Sequence, residues 1–390
     1  MDRLEPFRRE LDALCGQSRL RVLREVRREG THAVLDGQAL LNLSSNDYLG
    51  LGSECGPQDE PERSMAGASS RLLSGNHPVY GELETQLGEL YGGRSACVFS
   101  SGYHANAGIC PALAQRGDVF FADKLVHASL IDGMRLSGAT VVRYRHLDYD
   151  HLARLLQKRR PEFRRSIIVT ESVFSMDGDV ADLKRLIALR DLYDSLLMVD
   201  EAHAVGVFGR RGLGITERDG LIDDVDVLVG TFGKAFGSFG AYAVTDEVLK
   251  AFLVNRARTL IFTTALPPAV VAWTRRMVAR AVGMDAQRKH VLGLAERLRE
   301  ELARVGARTA GRSHIVPIIV GDDAAAVALA ERLRQRGMLV FPIRPPTVPE
   351  GTARVRVSLT ANLVWDDIAE LPGVVGEYLR EAGVDKARRP

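Results

Sequence analysis

The hydrophobic positions along the chain change their spacing twice. Over residues 1 to about 30, Leu11, Leu14, Leu20 and Leu23 recur at roughly helical intervals among arginines, which predicts an amphipathic helix lying on the main body. From about 46 to 285, short apolar runs alternate with helical patterns, as βαβ units do. The runs 96–100, 119–122, 140–144, 166–171, 196–200, 225–230 and 240–244 predict strands, with helices near 106–115, 128–137, 150–159 and 182–193 between them. Runs that are apolar throughout belong to a mostly parallel sheet covered on both faces.

A helical stretch from 268 to about 305, broken near Gly283, leads into a second pattern: strand 315–320, helix 324–337, strands 340–343 and 354–359, and a final helix. The expected organisation is α/β, with an N-terminal helical segment 1–45, a large domain 46–285 and a small α+β domain 286–390. The stretch 52–68, rich in Gly, Pro, Ser and Glu, reads as a loop.

Composition narrows the function classes. With 46% hydrophobic and 26% charged residues in 390, the chain is an ordinary globular one. Its 52 basic and 50 acidic residues leave a net charge of +2, too balanced for a nucleic-acid footprint. No apolar run reaches the ~18 residues of a membrane helix, and the opening Met1-Asp2-Arg3-Leu4-Glu5-Pro6 lacks the apolar core of a signal peptide. The expectation is a cytoplasmic protein with no membrane partner. Cys15, Cys55, Cys97 and Cys110 form no CxxC pair, so no metal site is expected, and the thiols are read as reduced and mostly buried.

The chemistry gathers at strand ends. Thr231-Phe232-Gly233-Lys234 follows the 225–230 strand, and Lys234 sits among glycine and aromatic residues that partly desolvate its amine. Such a lysine can form a Schiff base; the same pattern also describes a surface lysine in a flexible loop. Strand 196–200 ends in Asp200-Glu201-Ala202-His203, and a carboxylate at that end of a parallel strand points into the ligand crevice of an α/β sheet. Pyridoxal phosphate (PLP) needs such an acid to keep its ring nitrogen protonated, although a strand-end Asp is also a common helix cap. Ser101-Gly102-Tyr103 opens a helix whose N-terminus suits a phosphate, or is an ordinary turn. His127 opens another helix and could stack on a flat ring or face solvent. Ser175 precedes the turn signal Asp177-Gly178. Arg344, in Ile343-Arg344-Pro345-Pro346-Thr347-Val348-Pro349, sits on a proline-locked loop suited to gripping a carboxylate, or is simply solvated.

Taken in order, these segments, with Ser44-Ser45-Asn46-Asp47-Tyr48-Leu49-Gly50 and Arg71-Leu72-Leu73-Ser74-Gly75-Asn76-His77, resemble the α-oxoamine synthases. Those are PLP enzymes of the aspartate-aminotransferase fold type (fold type I), with a mostly parallel seven-stranded sheet in the large domain. The Arg344 loop resembles the oxononanoate-forming branch, which serves biotin biosynthesis, rather than the glycine-using branch. The resemblance implies that Lys234 holds PLP and removes the α-proton of L-alanine. It implies that Asp200 pairs with the ring nitrogen, that His203 and Ser175 bond the phenolic oxygen, and that His127 stacks on the ring. Gly102, Tyr103 and Thr231 would hold the phosphate. Arg344, with Asn46 nearby, would take the amino-acid carboxylate, and Arg21 and Thr347 complete the substrate set. The second substrate would be a pimeloyl thioester, of CoA or a carrier protein. A homodimer with shared active sites follows from the same resemblance, Thr263 and Thr264 reaching the neighbouring site.

The chain departs from the pattern at Tyr80, where histidine is frequent, and in a shortened 52–68 loop, changes that bear on the acyl pocket rather than on the cofactor set, and at Ala204, a small steric change beside the ring where glycine or serine is common. An ATP-driven motor would need a GK[ST] loop upstream of the Asp200-Glu201-Ala202-His203 box, and a dehydrogenase a GxGxxG turn after the first strand; neither is present. A catalytically dead PLP-fold protein is opposed by the intact Lys234, Asp200 and His203. The remaining alternative is a sister α-oxoamine synthase, acting on glycine and acetyl-CoA or on a long-chain acyl donor.

Overall fold

The computed structural model describes residues 2–53 and 62–382. Cys55 and positions 54–61 of the predicted loop lie outside the described residues. The chain divides into two compact units, one formed by residues up to 50, 176–179 and from 289 onward, the other by 51–175 and 180–288.

The first unit opens with a helix over Glu5–Gly16 and a meander of β1 (Val26–Glu29), β2 (His32–Leu35) and β3 (Gln38–Asn42). The helical pattern read over 1–30 is thus a helix only as far as Gly16. Leucine spacing alone does not sustain a helix that buries no residue, and from Val26 the backbone finds partners in a ladder instead. Ala33 and Leu35 of β2 and Leu40 of β3 bury together with Leu339.

The second unit is built on the sheet. Its strands are β4 (Ser95–Phe99), β5 (Val119–Asp123), β6 (Thr140–Tyr144), β7 (Ser166–Glu171), β8 (Leu196–Asp200), β9 (Val227–Thr231) and β10 (Ala241–Thr245), in the order β4-β10-β9-β8-β7-β5-β6. Each matches a predicted run to within two residues. Only β10 runs against its neighbours β4 and β9; β9, β8, β7, β5 and β6 are parallel. Every residue of β5, β7, β9 and β10 is buried, as expected of strands covered on both faces. The carboxyl ends of β5, β7, β8 and β9, with that of β4, therefore share one edge.

The long C-terminal helical stretch is split at Gly283 into Pro268–Val282 and Asp285–Arg304. Beyond it, β11 (Ile315–Gly321) pairs with a later strand; the predicted strand 340–343 shortens to β13 (Pro342–Ile343), and a separate two-residue strand, β12 (Met338–Leu339), precedes it. β12 joins β3 in parallel, whereas β13 and β11 flank β14 (Ala353–Ser358). An apolar run too short to show a period carries no mark of which sheet it joins. Among the described residues no helix is long and apolar enough to cross a membrane, and no group of three or more His, Cys, Asp or Glu could hold a metal ion. Cys97 and Cys110 are buried and burial pushes both thiols up to about 12, while Cys15 is exposed.

One buried charge cluster braces the second unit. Glu84, 9% exposed, takes Arg71 at 2.7 Å, Lys250 at 3.1 Å and the Val98 N–H at 2.9 Å. Arg71 also lies over the ring of Tyr80, 4.3 Å from its centroid, so the tyrosine that departs from the family pattern packs against this cluster. Glu84→Leu would strip two half-buried cations of their carboxylate while Arg71 keeps Asn76 Oδ1 and the Val98 carbonyl, and the expected loss is about 2–3 kcal/mol, read as a lower urea midpoint with an unchanged slope.

Candidate active site

At the end of β8 the buried Asp200 carboxylate is held on both oxygens. Oδ1 accepts the Ala202 N–H at 2.8 Å, and Oδ2 accepts Asn106 Nδ2 at 2.7 Å. Hydrogen bonds of this kind are what a buried carboxylate requires. His203 follows on the same loop, itself buried, and its Nε2 lies 2.8 Å from the half-buried Lys234 Nζ. The lysine is delivered by the turn after β9, where Thr231 Oγ1 donates to the Gly240 carbonyl at 3.1 Å and accepts the Gly233 N–H at 3.3 Å.

The adjoining β4 leads into the helix Gly102–Leu113, capped by Ser101, whose hydroxyl accepts the His104 N–H at 3.2 Å. A Cβ at Gly102 would sit 3.9 Å from Thr231 Oγ1, so the open side of this helix N-terminus faces the threonine hydroxyl. Uncommitted N–H groups beside a hydroxyl make an anion cradle. Tyr103 is half exposed, and its hydroxyl donates to Asp132.

After β5, His127 caps the helix Ala128–Leu136: its Nδ1 accepts the Ser129 N–H at 3.2 Å, and its own N–H donates to Glu171 at the end of β7. Burial lowers the His127 pKa, the Lys234 charge adds to this, and Asp200 opposes it. Ser175 lies half-buried on a turn closed by the bridge between Val173 and Val180. The sheet unit thus brings together Lys234, Asp200, His203, His127, Thr231 and Gly102 on one edge. Glu201, next to Asp200, serves the scaffold instead: it is buried and accepts the Ile215 and Thr216 N–H groups at 3.1 and 2.9 Å.

In the first unit the sequence-predicted residues fall into two groups. Arg21 donates to the Thr347 hydroxyl at 3.3 Å, and Arg344, on the same loop as Thr347, donates to the Ser18 carbonyl. Burial and then Arg21 lower the Arg344 pKa. Asn46 is elsewhere engaged: its Oδ1 accepts Arg356 at 2.6 Å and the Tyr48 hydroxyl at 3.1 Å. Arg356, Asn106 and Glu171 escaped the sequence reading. Arg356 alternates with buried valines in β14 and reads as an ordinary strand arginine; Asn106 and Glu171 are polar residues inside apolar elements, and that anomaly was their only signal.

Glu171 is the strongly perturbed acid of this edge. Burial first, then the Asp200 charge, push its carboxyl up to about 8, against Lys234 and the His127 N–H. Its protonated form is favoured in the fold, so the stability it contributes is full below the ordinary glutamate range and is lost as pH rises to about 8. Glu171→Gln keeps an acceptor for the His127 N–H and removes the titration. It is expected to flatten the fall of the urea midpoint between about pH 5 and about pH 8; an unchanged slope would show that Glu171 is not the group responsible.

Residues 38–372 match the family of class I and II aminotransferases. The 8-amino-7-oxononanoate synthase of Chlorobaculum parvum is 51% identical over 380 residues, covering 94% of this chain and 97% of that protein. A serine palmitoyltransferase from S. paucimobilis, solved with a bound PLP–myriocin aldimine, superposes with a TM-score of 0.91 at 30% identity over 99% of this chain and 100% of its own. The crystal structure of 8-amino-7-oxononanoate synthase from Francisella tularensis gives a TM-score of 0.76 at 27% identity, covering 88% and 99%. The chain belongs to the class I and II aminotransferase family, and within it to the family of the 8-amino-7-oxononanoate synthases.

Proposed function

We propose that this protein is a PLP-dependent acyltransferase that condenses L-alanine with a pimeloyl thioester, giving 8-amino-7-oxononanoate, carbon dioxide and the free thiol, a step of biotin biosynthesis. The observation that carries the reading is the Lys234–His203 contact beside Asp200 on the sheet edge, in a chain 51% identical to a protein of that activity. The donor set fits PLP: a primary amine, a buried carboxylate, and a helix N-terminus facing a threonine hydroxyl. When bound, PLP supplies the electron sink that stabilises the pair left at Cα once the alanine C–H bond breaks.

The chain's own groups do the rest. The Lys234 amine would hold the cofactor and would take the α-proton at its Nζ, where His203 Nε2 is within hydrogen-bond reach. Asp200 would serve the ring nitrogen, His203 with Ser175 the phenolic oxygen, and His127 the ring face. The N–H groups of Gly102 and Tyr103 and the Thr231 hydroxyl receive the phosphate. For the amino-acid carboxylate, two guanidinium groups compete. Arg344 already donates to a backbone carbonyl beside Arg21, whereas Arg356 is the arginine that Asn46 touches. We therefore assign the carboxylate to Arg356 with Asn46, and the Arg344, Thr347 and Arg21 group to the acyl substrate. The protein acts in the cytoplasm as a homodimer with shared sites, a reading supported by exposed apolar residues such as Leu73, 80% exposed, and Phe262, 69% exposed and adjacent to Thr263.

Thiol release by the PLP-loaded protein is expected with L-alanine plus pimeloyl-CoA and not with glycine plus acetyl-CoA; Lys234→Ala should lower it by roughly a thousandfold. Release only with the glycine pair would move the protein to the sister activity. Arg356→Lys is expected to raise the alanine KM on the order of tenfold or more, because a point charge replaces a bidentate fork. Arg344→Lys should chiefly raise the KM of the acyl donor, and the reverse pattern would return the carboxylate to Arg344.

A further inference from the structure

The helices Gly102–Leu113 and Ala128–Leu136 approach closely at Gly133, where a Cβ would fall 2.4 Å from the Asn106 carbonyl oxygen. That approach sets Asn106 of the first helix against Ser129 of the second. Asn106 is 1% exposed and Ser129 fully buried, so their polar atoms must find partners within the protein.

The direction of each hydrogen bond in this group is fixed. The Ser129 N–H can only donate, and it meets His127 Nδ1 at 3.2 Å. Nδ1 is therefore an acceptor, and a neutral His127 carries its proton on Nε2. Ser129 Oγ lies 2.7 Å from the same Nδ1, so its hydroxyl donates there. With its proton committed, Ser129 Oγ accepts from Asn106 Nδ2 at 3.0 Å, and the other proton of that amide goes to Asp200 Oδ2 at 2.7 Å. The opposite amide orientation would press a carbonyl oxygen against a carboxylate and a hydroxyl oxygen with no proton between them. Asn106 Oδ1 is instead turned to a buried position where it has no hydrogen-bond partner, the side of the amide given up to satisfy the carboxylate.

We propose that Asn106 and Ser129 are paired positioning residues: one amide holds Asp200 Oδ2 in place and, through the serine hydroxyl, locks His127 as the Nε2–H imidazole. The proposal rests on the reading above, in which His127 and Asp200 meet the two sides of PLP chemistry, the ring face and the ring nitrogen. An uncharged imidazole over a protonated pyridine ring avoids stacking cation on cation. The same amide keeps the carboxylate aimed at the ring nitrogen.

The test uses the full chain labelled with 15N-histidine, before and after loading with PLP, with the His127 ring signal assigned by its loss in His127→Asn. In the wild type at neutral pH, Nε2 is expected to be protonated and Nδ1 not. Asn106→Ala and Ser129→Ala should each raise the share of the other tautomer only in part, because the Ser129 backbone N–H stays on Nδ1 as the longer donor at 3.2 Å, and adding Asn106→Ala to Ser129→Ala should change the ring no further, because the hydroxyl link is already cut. PLP affinity should fall about tenfold in Asn106→Ala but no more than about twofold in Ser129→Ala, since only the first loses a charge-assisted bond to Asp200. A merely structural role would lower stability without moving the tautomer. A wild-type ring protonated on Nδ1, or additive effects of the two variants on the ring, overturns the proposal, and the wild-type signal decides even where a variant does not fold. A chain that shows the Nε2–H ring but takes up no PLP upholds the pair and sinks the cofactor reading; PLP uptake with an Nδ1–H ring does the reverse.

Discussion

A carboxylate buried at the end of a central parallel strand is the constraint around which this sheet edge is arranged. Asp200 is 6% exposed, and an ionised carboxylate so placed is costly unless hydrogen-bonded. The Ala202 N–H and the Asn106 amide meet that requirement from the loop and from a neighbouring helix. The charge then organises its surroundings: it helps push Glu171, its register partner on β7, up to about 8, and it opposes the fall in the His127 pKa. The Glu171 carboxyl and the His127 imidazole on this part of the edge are both pushed toward their neutral forms, burial being the first cause in each. Acid and base roles are separated in this way when environments pull neighbouring groups apart.

Each unit, taken by itself, holds a different set of polar groups. The sheet unit holds the amine, the acid, the imidazoles and the anion cradle on strand ends and helix starts, where the backbone is fixed by ladders and caps. The other unit holds the arginines, and there the guanidinium groups are distinguished by what they already bond. Arg19 is spent on Asp323 and Glu350, Arg354 on Asp177 and Arg344 on a backbone carbonyl. Arg356 lies against a side-chain amide.

Much of the fold was legible because its signals are local. Seven short, mainly apolar runs became seven strands, and in β5, β7, β9 and β10, buried throughout, no polar alternation was needed. The Gly283 break and the Asp177-Gly178 turn also held, because glycine marks backbone conformations directly, as the φ of +70° at Gly178 shows. The N-terminal reading failed beyond Gly16 because leucine periodicity reports a face without reporting whether anything covers it. The strand at 338–339, ahead of the predicted run 340–343, was missed for a similar reason: its partner β3 is far away in sequence.

The sequence by itself determined the sheet, the order of the strand-end motifs, and the identity of Lys234, Asp200, His203 and His127 as the polar residues at those ends, since each is announced by the apolar run before it. Only the tertiary structure decided that Asn106 reaches Asp200, that Glu171 lies beside it, and that Arg356 rather than Arg344 meets Asn46. The first and last of these pairings join residues 94 and 310 positions apart, and the second lies across neighbouring strands. Hydrogen-bond partnership over such separations is set by how helices and strands pack, and packing leaves no periodic trace in the chain.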